Sequence, residues 1–244
     1  MTAEGAEYED VLKDAQRLGL AEPDPTADVE GYDAAYKLSI AGSLAFHTRV
    51  KVEDVYREGI TKVSAEDIAF GREMGYVLKL LAIGKDNGTS IEARVHPVFL
   101  PADHPLARVD GSLNAVYLYG HSFKDMMLEG RGAGDAPTAS AIVGDIIHAA
   151  QNTVHPMPYL REDPLPVADD WQSKYFIRMK AKDAPGVLAE VTGLLAGEGI
   201  SVSAMLQKGA DPGGKATLIV ITHIAPEKAV QRVVKSLNPE ICQV

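Results

Sequence analysis

The segment from 174 to 244 carries the pattern that most restricts the fold. Its apolar residues recur at every second position in some stretches, as in strands, and at helical spacing in others. Asp183 stands where it could cap a helix, and Gly199 stands where that helix would end. We expect strands over 174–180, 200–208 and 216–223, helices over 183–198 and 226–237, a turn over 211–214, and the start of a last strand over 241–244. The order βαββαβ predicts a ferredoxin-like sandwich.

Residues 1–150 mix helical and strand patterns and predict a separate α+β domain with a mixed or antiparallel sheet. Ser64 and Asp67 form a capping-box pattern, and Asn87-Gly88 is typical of a tight hairpin turn. We expect helices over 6–20 (ending at Gly19), 30–46 and 64–74, a short helix or strand within 50–60, and strands over 60–63, 76–83, 91–100 and 114–119. The proline-rich, acidic residues 151–172 predict a linker to the domain at 173–244, with Trp171 as a packing anchor.

The composition argues against several classes of partner. The net charge of -10 disfavours binding to nucleic acid or to an anionic membrane surface. Cys242 is the single cysteine, so an intrachain disulfide framework and a CxxC metal site are excluded, and a reducing cytoplasm is expected. The seven histidines show no metal-ligand spacing, so we expect no metal site. No apolar run is long enough to span a bilayer, and the acidic first residues do not resemble a signal peptide.

An acidic stretch from Glu22 to Lys37 is the main candidate for a reactive site. Its prolines and glycine break regular structure, so Glu22, Asp24 and Asp28 are expected on an ordered loop. Asp28 or Glu30 is expected to open the next helix, where a negative charge suits the helix dipole.

Asp33 and Lys37 are four residues apart and therefore share one face of that helix. Ile40 and Leu44 continue the face, so we expect the amine to be partly shielded from water. A protonated amine beside carboxylates can supply the proton that a developing alkoxide needs, and carboxylates suit a substrate with a free ammonium group. An ordinary surface ion pair at a solvated helix start is the other interpretation.

The spacing E-x-D-P-x-x-D-x-x-G-x-D-x-x-x-K resembles the signature of homoserine dehydrogenases, in which it belongs to the substrate domain. The matching residues are Glu22, Asp24, Pro25, Asp28, Gly31, Asp33 and Lys37. The resemblance implies that Glu22 binds the amino group of L-homoserine and that Lys37 is the general acid/base at the carbon exchanging hydride with the nicotinamide. It further implies that Asp28 and Asp33 line the same pocket, with Asp33 as a catalytic residue beside Lys37 and Asp24 as a further substrate-binding residue.

A second run, from Gly130 to Asp145, places three glycines before a helix of small and apolar residues. Glycines let a ligand approach the backbone, and a helix N-terminus attracts anions, although any flexible turn before a helix gives the same pattern. The run resembles G-x-G-A-G-x-x-P-T-A-S-A of the same family. That resemblance implies that Gly132, Ala133, Gly134 and Thr138 lie near the nicotinamide end of NADP or NAD.

The C-terminal sequence D-x-P-G-V-L-A resembles ACT domains, which pair with one another and bind amino acids at a strand–helix loop. The resemblance implies an effector site at Asp183, Pro185, Gly186 and Val187, feedback inhibition by threonine, and a homo-oligomer. A tight helix start is the alternative interpretation of Pro185-Gly186.

One family feature is absent from these 244 residues, which contain no G-x-G-x-x-G and no βαβ unit before Glu22. We therefore expect a fragment that depends on a Rossmann domain, in a separate chain or encoded upstream, and that has no dehydrogenase activity alone. The choice between NAD and NADP stays open, and a stand-alone amino-acid sensor without catalysis is the alternative function. Lys79, in the middle of a predicted strand, is expected at a sheet edge or in an ion pair rather than in catalysis.

Overall fold

A computed structural model describes residues 7–17, 21–151, 161, 163–210, 214–239 and 242–243. The chain divides into two compact units, Met1–Val167 and Ala168–Val244. Both combine helices with sheets, which confirms the predicted α+β class. Gly19 and the turn residues 211–213 lie outside the described residues, so the helix end at Gly19 and the turn over 211–214 stay predictions.

Unit 1 contains five helices and five strands among its described residues. The helices are α1 Tyr8–Arg17, α2 Thr26–Val29, α3 Tyr32–Phe46, α4 Ala65–Glu73 and α5 Asp135–Gln151. The strands are β1 Tyr56–Arg57, β2 Tyr76–Asp86, β3 Ile91–Pro101, β4 Leu113–Gly120 and β5 Lys124–Arg131. Two 3-10 turns, Val52–Asp54 and Pro105–Arg108, complete this unit.

The core of unit 1 lies between α3 and a three-stranded sheet of order β1-β3-β2. β2 and β3 form the predicted antiparallel hairpin, with Gly84 opposite Ala93, and β1 runs parallel to β3. Ala35 and Leu38 of α3 pack with Ile91 and Val95 of β3, and all four are buried. Because β-strand side chains alternate, Glu92, Arg94 and His96 lie on the opposite face of the sheet.

Local capping decides where the helices of unit 1 begin. Ser64 and Asp67 form the complete capping box at α4, as predicted. The prediction that Asp28 or Glu30 opens the helix at 30–46 is wrong, because Gly31 is the N-cap of α3 and adopts a left-handed conformation at φ 76. The prediction of a strand at 60–63 is also wrong, because the Val63 amide donates to the Ile60 carbonyl (3.0 Å) and closes a turn.

β4 and β5 form a separate two-stranded hairpin. The sequence predicted β4 over 114–119 but did not indicate β5. The reason lies in exposure: every residue of β5 except one is exposed, so its apolar residues show no two-residue alternation.

Unit 2 has the predicted βαββαβ order. Its strands are β6 Gln172–Ser173, β7 Phe176–Lys182, β8 Val202–Ala210, β9 Lys215–Thr222, β10 Ala225–Pro226 and β11 Cys242–Gln243. Its helices are α6 Val187–Gly197 and α7 Glu227–Ser236. The main sheet has the order β11-β7-β9-β8, and β6 pairs with β10. Both helices bury one face against it, with Val191, Leu195, Val230 and Val233 packing on Met179 and Leu218.

The N-cap of the first helix of unit 2 differs from the prediction. Gly186, with φ 94, is the N-cap of α6, so Asp183 does not cap this helix. The described end of the predicted linker is packed, and Trp171 is buried, as expected of a packing anchor. The Pro166 carbonyl of unit 1 accepts from the Ile91 amide (2.9 Å), and the Trp171 carbonyl of unit 2 accepts from the Glu227 amide (2.9 Å).

Candidate functional site

The acidic loop before α3 is held by its backbone, which leaves most of its carboxylates at the surface. Gln16 of α1 donates from Nε2 to the carbonyls of Glu22 (3.0 Å) and Pro23 (3.2 Å). Glu22, Asp24 and Asp28 are all exposed. Glu22 and Asp24 therefore lie on a loop, as expected, but the same prediction is wrong for Asp28, which lies in the short helix α2.

Asp24 helps to form the turn that leads into α2. Its Oδ1 accepts hydrogen bonds from the Thr26 hydroxyl (2.6 Å) and the Thr26 amide (3.1 Å). These two bonds lower the pKa of Asp24 below its ordinary value, because they favour the ionised carboxylate. Asp24 Oδ1 therefore takes part in the turn, which leaves Oδ2 of this candidate substrate-binding residue for other contacts.

Asp33 and Lys37 form the predicted ion pair on α3, with 2.6 Å between Oδ2 and Nζ. The expectation that the amine is partly shielded is wrong for this chain, since 64% of the Lys37 side chain is exposed. Ile40 and Leu44 on the same face are exposed as well. The cause is the orientation of α3, which buries its opposite face through Ala35 and Leu38.

The glycine run links β5 to α5 at the surface. Gly132, Ala133 and Gly134 are exposed, and Gly134 adopts φ 117. A Cβ at Gly132 would lie 2.0 Å from Asn114 Nδ2, so a larger residue there would have to displace the exposed Asn114 side chain. The Thr138 amide donates to the Gly134 carbonyl (3.1 Å) and belongs to the helix. The open backbone at Gly134 and the first turn of α5 can receive a polar cofactor group, which fits one end of a dinucleotide.

The strand–helix loop of unit 2 borders a cleft of about 330 Å³. All four candidate effector residues line it, namely Asp183, Pro185, Gly186 and Val187. Gln207 of β8 lies across the cleft and donates from Nε2 to Asp183 Oδ1 (2.9 Å). A carboxylate, an amide side chain and a helix start around one small cleft can bind a zwitterion.

Sequence reasoning missed Gln207. A usable signal exists, because Gln207 is opposite Leu218 and therefore takes a position on the helix-facing side of β8. A polar residue at such a position indicates a cleft rather than a core contact.

The remaining polar candidates have structural contacts. Lys79 donates to the Val109 carbonyl (2.6 Å) and pairs with Asp110 (3.0 Å), as expected for an ion pair. His104 caps a 3-10 turn by accepting from the Leu106 amide. In the described ranges, no group of three or more His, Cys, Asp or Glu side chains could hold a metal ion. No helix in the part of the chain that the structure describes is long and apolar enough to cross a membrane.

Comparison with known families gives two matches along the chain. Residues 1–147 match the homoserine dehydrogenase family, and residues 175–240 match the ACT domain family. Among curated relatives, a homoserine dehydrogenase of Corynebacterium glutamicum is 46% identical over 98% of this chain and 55% of its own length. A homoserine dehydrogenase of Neisseria gonorrhoeae is 40% identical over 99% of this chain and 58% of its own length. The chain therefore spans somewhat more than half the length of these relatives.

Solved structures give the same similarity. The crystal structure of a homoserine dehydrogenase from Thiobacillus denitrificans superposes with a TM-score of 0.87 at 39% identity, covering 96% of this chain and 56% of that one. A hyperthermophilic archaeal homoserine dehydrogenase mutant in complex with NADPH has a TM-score of 0.50 at 30% identity, covering 65% of this chain and 44% of that one.

Proposed function

Because this chain belongs to the homoserine dehydrogenase family, we propose that it is the substrate-binding and regulatory portion of an enzyme that interconverts L-homoserine and L-aspartate 4-semialdehyde. The reaction would serve threonine, methionine and isoleucine biosynthesis in the cytoplasm. The observation that carries the proposal is the 2.6 Å pair between Asp33 and Lys37, which follows directly on the acidic loop.

The residue types suit this chemistry. Oxidation of the substrate alcohol to an aldehyde removes the hydroxyl proton and a hydride from the adjoining carbon. Lys37 moves the proton at the substrate oxygen, and Asp33 holds the amine in place through their ion pair. Glu22 accepts hydrogen bonds from the substrate ammonium, while Asp28 and the free oxygen of Asp24 line the same pocket.

The cofactor of this proposal is NADP or NAD, which supplies the hydride acceptor when bound. Gly132, Ala133, Gly134 and Thr138 would contact its nicotinamide end. The described residues contain no βαβ unit of the kind that binds a dinucleotide. The relatives are longer than this chain, and we propose that their unmatched part corresponds to the domain that holds the rest of the cofactor. That part could belong to the same polypeptide or to a second chain.

The cleft of unit 2 supports a regulatory role. We assign it to an amino-acid effector, with threonine as the first candidate, in a homo-oligomer. Asp183 would pair with the effector ammonium, and the amides that begin α6 after Gly186 would bind its carboxylate. The exposure of Lys37 favours a second candidate function, in which the chain is an amino-acid sensor without catalysis.

Replacing Lys37 tests the catalytic proposal. The assay fuses this chain to the part of the Corynebacterium glutamicum relative that it does not match, and follows homoserine-dependent reduction of NADP and NAD. We expect Lys37→Ala to lower kcat by about 10²- to 10⁴-fold, the usual contribution of a general acid/base, with a much smaller change in KM. Lys62→Ala, at an exposed turn lysine, is the matched control and should leave kcat unchanged.

Two results would count against the proposal. An inactive wild-type fusion that still binds threonine would favour the sensor function. Near-normal turnover of the Lys37→Ala fusion would remove Lys37 from the proton-transfer role.

A further inference from the structure

Arg57 contacts the residues on either side of the N-cap of α3. The carbon at the centre of its guanidinium lies 3.4 Å from the centroid of the Tyr32 ring. Its Nη1 donates to the Glu30 carbonyl at 2.9 Å. Arg57 thus contacts both neighbours of Gly31, the left-handed residue at which the chain turns into α3.

The chain around Gly31 has little room to move. A Cβ at Gly31 would lie 2.9 Å from Val95 Cγ1 and 3.5 Å from Arg57 Cγ. A Cβ at Gly59 would lie 2.4 Å from the Val29 carbonyl oxygen, which shows how closely the two segments pass. The position of this turn therefore depends on the segment that contains Arg57.

Two further hydrogen bonds join the same segments. The Ile60 amide donates to the Val29 carbonyl (2.8 Å), and the Thr61 hydroxyl donates to Glu30 Oε1 (2.9 Å). Arg57 differs from these partners because it also contacts a side chain of the first turn of α3, through the Tyr32 ring. Arg57 therefore contacts both the loop and the helix.

From these contacts we propose that Arg57 is a positioning residue for the proton-transfer site, an inference that rests on the proposed function. Asp33 and Lys37 lie on the first turns of α3, immediately after the turn that Arg57 holds, and Asp28 lies immediately before it. Arg57 thereby sets the position of the Lys37 amine relative to the carboxylates of the loop. A guanidinium is suited to this role because it stacks on a ring with its flat face while its N–H groups donate in the plane, whereas a lysine ammonium has no flat face to stack.

The first arm of the test needs no catalysis. Hydrogen–deuterium exchange on the 244-residue chain compares wild type with Arg57→Met, which retains a side chain of similar reach. We expect at least about 10-fold faster exchange at the Gly31 and Ala35 amides, whose hydrogen bonds to the Asp28 and Gly31 carbonyls close this turn. Arg49→Met, at an exposed arginine, is the control and should not alter exchange there.

The second arm measures turnover of the fusion described above. We expect Arg57→Met to lower kcat by about 10- to 100-fold, because a small displacement of a reacting group is costly, with KM changed less than about 3-fold. Arg57→Lys retains the charge and N–H donors but loses the flat guanidinium face, and should recover part of the loss. Faster exchange combined with unchanged kcat would overturn the inference and leave the proposed function intact, and unchanged exchange would overturn it directly. An inactive wild-type fusion would instead reject the proposed function, and the positioning role of Arg57 with it.

Discussion

At the scale of single residues, spacing predicted contacts but could not predict burial. The four-residue interval between Asp33 and Lys37 was sufficient to predict their ion pair, because helix geometry alone brings the two side chains together. The exposure of Lys37 depends on which elements cover its helix face, and no local pattern contains that information. The same limit explains why the contact between Arg57 and Glu30, which are 27 residues apart, was not foreseen.

Glu92 and Arg94 form a buried ion pair on β3, on the sheet face away from α3. Burial alone would raise the pKa of Glu92, but hydrogen bonds from Asn87 and Arg94 and the charges of Arg94 and Lys85 outweigh it, so the pKa is lowered. A carboxylate with a lowered pKa in the folded state stabilises the fold above its ordinary pKa. That contribution is lost as the pH falls through the folded value.

We therefore expect Glu92→Gln to lower the free energy of unfolding of unit 1 by about 3 kcal/mol at pH 7, because Arg94 loses its buried partner. The difference from wild type should shrink as the pH falls below the ordinary glutamate pKa of 4.5 and disappear below the folded value. Urea unfolding followed by circular dichroism between pH 3 and pH 7 measures this. Glu129→Gln, at an exposed position on β5, is the control, and a pH-independent difference for Glu92→Gln would contradict the argument.

At the scale of elements, the predictions succeeded where neighbouring residues determine the structure. The capping box at α4 and the hairpin of β2 and β3 depend on residues close in sequence. The N-caps at Gly31 and Gly186 were missed, because a left-handed glycine stands at each helix start in place of the predicted acidic residues, Asp28 or Glu30 for α3 and Asp183 for α6.

The loop before α6 borders the cleft that we propose as the effector site. Removing the charge of Asp183 should weaken binding of threonine about 10- to 100-fold, because a hydrogen bond to a charged group contributes about 1.5–3 kcal/mol. Calorimetry on the 244-residue chain, with threonine and a panel of other amino acids, compares wild type with Asp183→Asn. The control is Glu227→Gln, which removes a charge from α7 outside the cleft. Equal affinities for wild type and Asp183→Asn would remove Asp183 from the effector site.

At the scale of the whole molecule, the order of secondary structure was sufficient to separate the chain into two α+β units. The boundary between Val167 and Ala168 falls within the predicted linker 151–172, but composition could not locate it to the residue, because proline and acidic residues run through the whole segment. Leu165 and Val167 pack against the core of unit 1, and the Trp171 carbonyl accepts a hydrogen bond within unit 2. Long-range contacts, rather than local sequence, decide which residues of a connection belong to a domain.

α5 is an apolar helix with no buried residue in this chain. Its exposed side chains include Ile142, Val143, Ile146 and Ile147, which form one stripe along the helix. Exposed apolar surface of this kind promotes association in water. The 244-residue chain is therefore expected to self-associate through α5 as its concentration rises.

The double variant Ile142→Glu/Ile146→Glu should reduce this self-association, because two charges in the stripe must be desolvated for two copies to meet. Since neither side chain is buried, the thermal midpoint of unfolding should change little. Sedimentation velocity over a range of concentrations, together with a thermal melt, measures both effects. Ile224→Glu is the matched control, since this isoleucine of unit 2 is 66% exposed and lies outside α5. If the double variant associates as strongly as wild type, the stripe on α5 is not the contact surface, and the exposed face of α3 that carries Ile40 and Leu44 is the next surface to alter.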